Sequence, residues 1–170
     1  MKFFKTFLMM AMLIVFSCSA KALTLDEAYL EFTHLSHTND SIEQSEKFRM
    51  IKGWLDLMPM QDTRVTYIQH SVNSELTTIY AHHTQSIINQ LTEDQMVISG
   101  ANGEASLYIF ANLPEKENTD ILILVNQPNQ GIAYAIYGKV DLWVLTALKR
   151  ANISFTPDKQ ILVYIPIIGF

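Results

Sequence analysis

The sequence predicts an α+β fold: a mainly antiparallel sheet, built as a β-meander, with helices packed on one face. Three observations carry this expectation. Thr24-Leu25-Asp26-Glu27 has the form of a capping box, and apolar residues follow it at helical spacing. Four apolar runs between Met96 and Lys139 are separated by turn-forming residues. One of them, "DILILVNQ" from Asp120 to Gln127, is apolar on both alternations. A central strand covered on both faces has that pattern.

The elements follow in order. In a capping box the Thr24 hydroxyl accepts a backbone N–H three residues on, and the Glu27 carboxylate reaches back to the cap. Leu25, Ala28, Tyr29, Phe32 and Leu35 then form one helical stripe. Asp40 and Glu43 repeat the start signal, and Phe48, Ile51, Leu55 and Met58 form a second stripe that Pro59 ends. Thr63 to Val72, "TRVTYIQHSV", is rich in β-branched residues and reads as a strand. Ser74 to Leu91 carries a mixed signal. "ELTTIY" has strand composition, but Leu76, Ile79, Tyr80, His83, Ile87 and Leu91 share a helical face that outlasts an ordinary strand. Helix is the expectation there.

Asn102-Gly103 predicts a two-residue hairpin turn, because both residues tolerate positive φ. Its strands are Met96–Ala101 and Glu104–Asn112. The central strand follows at 120–127. Pro128-Asn129-Gln130 then turns the chain into "GIAYAIYGK", Gly131 to Lys139. Asp141 is the expected cap of a helix running through Ala151, with Lys149 and Arg150 in its last turn and Asn152 as its stop. "QILVYIP", Gln160 to Pro166, is the closing strand. No repeat or low-complexity linker interrupts the chain.

Ahead of this domain the residues read as a secretory leader. Lys2 and Lys5 form a basic n-region, Phe7 to Ser17 is apolar and uncharged, and Ala20-Lys21-Ala22 is a small-x-small cleavage pattern. The apolar run is well short of the ~20 residues that span a bilayer as a helix. The expected organisation is a signal peptide over 1–22 and a single domain over 23–170. "VFSC", ending at Cys18, gives the alternative of a lipoprotein box, in which a lipid on Cys18 would anchor the domain without spanning the membrane. Phe16 is larger than that box usually takes. Cleavage after Ala22 removes the chain's one cysteine and leaves a cysteine-free mature chain.

The full chain has 12 Lys and Arg against 17 Asp and Glu, a net charge of −5. Loss of Lys2, Lys5 and Lys21 with the leader makes it more acidic. That balance excludes nucleic acid as the expected partner, since phosphate binding needs clustered Lys and Arg. It also disfavours attraction to anionic lipid.

No motif names a chemistry. The five histidines lie between His34 and His83. His34 and His37 are three apart on an expected helix and could face one metal ion, with His83 as a third ligand. This makes zinc or copper binding an alternative to the expectation of no cofactor. The spacing matches neither H-E-x-x-H nor a cysteine-containing zinc site. No G-x-S-x-G elbow is present, so a hydrolase would need residues that converge only in space. Glu93-Asp94 and Glu115/Glu117 fall in expected turns, where solvated charge is the ordinary role. Gly100 to Gly103 joins strand to strand and offers no helix N-terminus to an anion. Tyr108 and Phe110, two apart on a strand, would form an apolar binding patch if their face is exposed. The C-terminal "ILVYIPIIGF" resembles an outer-membrane barrel signal, but the capped helices and the doubly apolar central strand argue against a barrel. A docking C-terminal strand fits better. The function expected from these readings is a small exported, non-catalytic binding or accessory protein, periplasmic or secreted, with a protein partner in the cell envelope.

Overall fold

The computed structural model describes residues 22–34, 58–69, 72, 75–102, 105–112, 117–155 and 161–164. In chain order the described elements are α1 (Leu25–His34), β1 (Gln61–Gln69), α2 (Glu75–Gln90), β2 (Met96–Ala101), β3 (Ser106–Ala111), β4 (Thr119–Gln127), β5 (Ile132–Val140), α3 (Leu142–Leu148), β6 (Asn152–Phe155) and β7 (Ile161–Tyr164). The segment 1–21 with Cys18, the helix expected up to Met58, and the chain from 165 onward lie outside the described residues. Met58 itself is fully buried.

The chain is α+β, as expected. Strands β2 to β5 form an antiparallel meander, and β1 adds to its end to give the order β1-β5-β4-β3-β2. β6 and β7 pair antiparallel in a separate two-stranded sheet. The doubly apolar run is the middle strand of five. Leu122 and Leu124 of β4 face the cluster under α1 and α2. Ile121, Ile123 and Val125 face the opposite cluster, which Val144 and Leu148 of α3 help to cover. The two longer helices thus share one face of the sheet, and the short α3 lies on the other.

Each helix forms for a local reason. At α1 the Thr24 N–H donates to Glu27 Oε2 at 2.8 Å and the Glu27 N–H to Thr24 Oγ1 at 3.2 Å. This is the reciprocal box that the sequence predicts. Leu25, Ala28, Tyr29 and Phe32 are its buried face. Leu25 and Phe32 are fully buried, worth about 1.5–3 kcal/mol each as transfer free energy. The small Ala133 and Ala135 of β5 lie in the same cluster.

α2 is helical as expected, but its buried face is rotated. Tyr80, Thr84, Ile87, Ile88 and Leu91 are buried, whereas Ile79 is exposed and His83 is half-buried. The set beginning at Tyr80 keeps helical spacing through a threonine, which a purely apolar reading passes over.

The C-terminal part departs most from expectation. Asp141 is the N-cap of α3, with its carbonyl accepting from the Val144 and Leu145 N–H groups. The helix ends at Leu148 instead of Ala151. The Arg150 and Ala151 N–H groups bond three residues back, to Ala147 and Leu148, and these tighter turns unwind it. Asn152 therefore begins β6 rather than stopping a helix.

The β2–β3 turn also differs. Ala101 pairs with Ser106, and the Asn102 N–H donates to the Ala105 carbonyl at 3.1 Å. The Ala105 N–H returns to Asn102 Oδ1 at 2.8 Å. Asn102 closes the turn with its side chain instead of sitting inside it, as Asx residues commonly do.

β1 carries a bulge. Gln61 pairs with Lys139 and Arg64 with Tyr137, so Asp62 and Thr63 together oppose Gly138. Asp62 has φ of 51°, a left-handed conformation that Asp tolerates better than most residues. Its carboxylate pairs with Lys139 Nζ at 3.0 Å. Gly138 is required here. A Cβ at that position would lie 2.9 Å from the Gln61 carbonyl oxygen. Bulge and charges together blunt the exposed start of this edge strand against pairing with another chain.

Candidate functional site

Four adjacent strands place one polar side chain each in a row across the helix-covered face. They are Asn112 just after β3, Asp120 of β4, Tyr137 of β5 and Arg64 of β1. The register explains the row. The Asn112 N–H donates to the Asp120 carbonyl at 3.1 Å, and Arg64 stands directly opposite Tyr137. Asp120 is paired with Lys139, two residues from Tyr137 and so on the side facing it along the sheet.

The row is bonded along its length. Gln95 Nε2 donates to Asn112 Oδ1 at 3.3 Å, and Asn112 Nδ2 to Asp120 Oδ2 at 2.8 Å. Asp120 lies close enough to the Tyr137 phenol to add to the upward push that burial gives its pKa. The Arg64 guanidinium carbon lies 4.4 Å from the Tyr137 ring centroid and 4.8 Å from that of Tyr29 on α1. Those two rings are 5.9 Å apart and tilted by 42°. Arg64 Nη2 completes the clamp by pairing with Asp26 Oδ1 in the first turn of α1. Beneath it, Thr66 Oγ1 donates to the Tyr29 hydroxyl at 2.9 Å and shares a hydrogen bond of the same length with Thr33.

The electrostatics follow from this packing. The hydrogen bond and charge of Asp26 hold the Arg64 pKa above its ordinary value against the opposing cost of desolvation. Burial pushes the Tyr137 phenol up, and the carboxylates of Asp120 and Asp26 add to the shift. Arg64 opposes them. On the other side of the sheet, burial alone pushes Tyr67 up to about 12. A guanidinium held between two rings and a carboxylate cannot reorient cheaply, so the row fixes α1 on β1 and β5. Its contacts position these elements against one another.

At the Asn112 end the row opens into a surface groove of about 280 Å³. Residues 22–24 form one wall, and Thr92, Asp94, Gln95 and Asn112 form the other. Thr92 and Gln95 are the two ends of a short 3-10 turn, Glu93–Gln95, whose capping box braces this wall.

The sequence-predicted candidates fall elsewhere. His34 is exposed at the end of α1 and His83 is half-buried on α2, while His37 lies outside the described residues. Among the described residues, no three His, Cys, Asp or Glu side chains converge to hold a metal ion. Tyr108 and Phe110 do share a face, with their rings 6.5 Å apart and nearly parallel. That face is the one under the helices. Phe110 is fully buried and Tyr108 packs at the cluster's margin, so the pair is core and not an exposed patch. Exposed large apolar side chains include the adjacent pair on α3, Leu142 at 44% and Trp143 at 53%, together with Leu30 of α1, Val72, Ile79 of α2 and Met96 of β2. Sequence reading missed the row and Trp143. The available signals were isolated polar residues in strands, Arg64 in "TRVTYIQ" and Asp120 opening "DILILV". Among the described residues, no helix is long and apolar enough to cross a membrane.

Compared with known proteins, the chain matches no family model, and no curated protein or solved structure matches it.

Proposed function

We propose that this chain is an exported, non-catalytic binding domain that engages a protein partner in the cell envelope. The observation that carries the reading is Trp143. It is 53% accessible beside the 44% accessible Leu142, on a helix whose other side is seated in the core by Val144, Leu145 and Leu148. A large ring held on a rigid element is the residue type that contributes most to protein interfaces. The leader read from residues 1–22 supports export, and the acidic balance favours a protein over nucleic acid. The polar row supports a structural rather than a reactive role, because its carboxylates and amides are bonded to one another or to Arg64, and the guanidinium is held against the Tyr137 ring.

The test is site-specific photo-crosslinking in the producing cell. A photoreactive side chain replaces Trp143 in the full chain, and a control replaces Gln85, an exposed residue on α2. The reading expects a discrete protein adduct from position 143 and not from position 85, on protein recovered outside the cytoplasm. Protein retained inside, or no adduct at 143, would overturn it.

A further inference from the structure

We infer that the amino terminus created by cleavage between Ala22 and Leu23 is itself a bound group of the fold, an ammonium held between the Gln90 carbonyl and Asp94. The inference rests on the export reading above, which supplies the cut. Three structural facts point to it. The Leu23 nitrogen donates to the Gln90 carbonyl at the end of α2, at 3.1 Å. Leu23 packs against the core under α1, so its nitrogen is fixed in place. The groove around residues 22–24 has Asp94 as its one ionisable side chain among the described lining residues.

Cleavage changes the chemistry of that nitrogen. In the uncut chain it is an amide with one N–H, already used by Gln90. After hydrolysis of the Ala22–Leu23 bond it is an ammonium with three donors and a positive charge, and the loss of Ala22 opens the groove wall. A charged donor makes a stronger hydrogen bond than an amide. The surrounding charges favour it. Asp94 and Glu93 come from the 3-10 turn, Glu27 and Asp26 from α1, and Asp120 stands behind Asn112. Asp26 is engaged by Arg64, and Glu27 by the Thr24 N–H, which leaves Asp94 as the groove's own counter-charge. The positive end of the α1 dipole opposes the ammonium, and Glu27 at the cap offsets it. Processing would then stabilise the domain as well as release it.

The experiment compares two forms of the mature chain, one starting at a free Leu23 and one acetylated at the Leu23 nitrogen. Acetylation keeps one N–H for Gln90, removes the charge and the two added donors, and puts an acyl group back where Ala22 stood. At about pH 6, below the ordinary α-amino value of about 7.7–8.0, the free form is expected to melt about 2–4 °C higher. Asp94→Asn should remove most of that difference, and raising the pH to about 10 should abolish it as the ammonium deprotonates. Equal melting temperatures at pH 6, or a difference that Asp94→Asn leaves intact, would overturn the capture. The intact mass of protein recovered outside the cytoplasm separates the two levels. A mature start other than Leu23 overturns the export cut on which the inference rests, whatever the melting data show.

Discussion

The Arg64 guanidinium carbon sits 4.4 Å from the ring centroid of Tyr137, its direct cross-strand neighbour. The same cation lies 4.8 Å from Tyr29 and pairs with Asp26, so one side chain ties the edge strand to its neighbour and to α1. Arg64→Ala should therefore cost about 1–2 kcal/mol: about 0.5–1 for each ring contact, with little added by the half-exposed ion pair. Arg64→Lys should restore only a small part, because an ammonium cannot lie flat between both rings while reaching Asp26. Urea unfolding of the three proteins checks this.

Gly138 faces the Gln61 carbonyl across the β1 bulge, and a Cβ there would lie 2.9 Å from that oxygen. Backbone cannot step aside as a flexible side chain can. Gly138→Ala should destabilise the fold by about 1–3 kcal/mol, the ordinary cost of overpacking. A mutant as stable as the parent in thermal unfolding would show that the bulge relaxes freely.

Tyr67 and Tyr137 both have phenols pushed up by burial, Tyr67 to about 12. A group whose folded pKa is raised contributes stability that is fully present below its unfolded value, about 10 for Tyr. That stability is lost as the pH rises through the folded value. Unfolding free energy should fall between about pH 10 and pH 12, and Tyr137→Phe should flatten the Tyr137 share of the fall. Urea titrations at stepped alkaline pH, read alongside tyrosinate absorbance, measure both.

Trp143 is half exposed and Phe110 fully buried, so substitution should separate function from folding. Trp143→Ala should change stability by less than about 0.5 kcal/mol yet abolish co-purification of the crosslinked partner. Phe110→Ala should cost about 3–5 kcal/mol as a core truncation. A Trp143→Ala protein that keeps its partner would move the binding surface elsewhere.

How far the sequence could be read followed the range of the contacts. The Thr24–Glu27 box was legible because both hydrogen bonds close within four residues. The run from Ile121 to Val125 declared a central strand because burial on both faces leaves no polar alternation to hide it. β6 was hidden in "NISF", four residues that follow Lys149-Arg150-Ala151, a basic stretch that imitates the last turn of a helix but lies beyond α3. The Arg64 clamp was not legible at all. Asp26, Tyr29, Arg64 and Tyr137 meet only when β1 is registered on β5, a pairing made across the whole meander. Tyr108 and Phe110 show the converse failure: their alternation fixed a shared face, but not which face the helices cover.

An exported binding domain that begins at Leu23 would reveal itself in the native mass of the protein recovered from its own envelope. The expected mass is that of a chain from Leu23 to Phe170 without acyl chains or metal, accompanied by a stoichiometric protein partner that Trp143→Ala removes. A mass beginning at Cys18 with attached lipid, an uncut chain from Met1, or a partner-free protein carrying zinc or copper would contradict it.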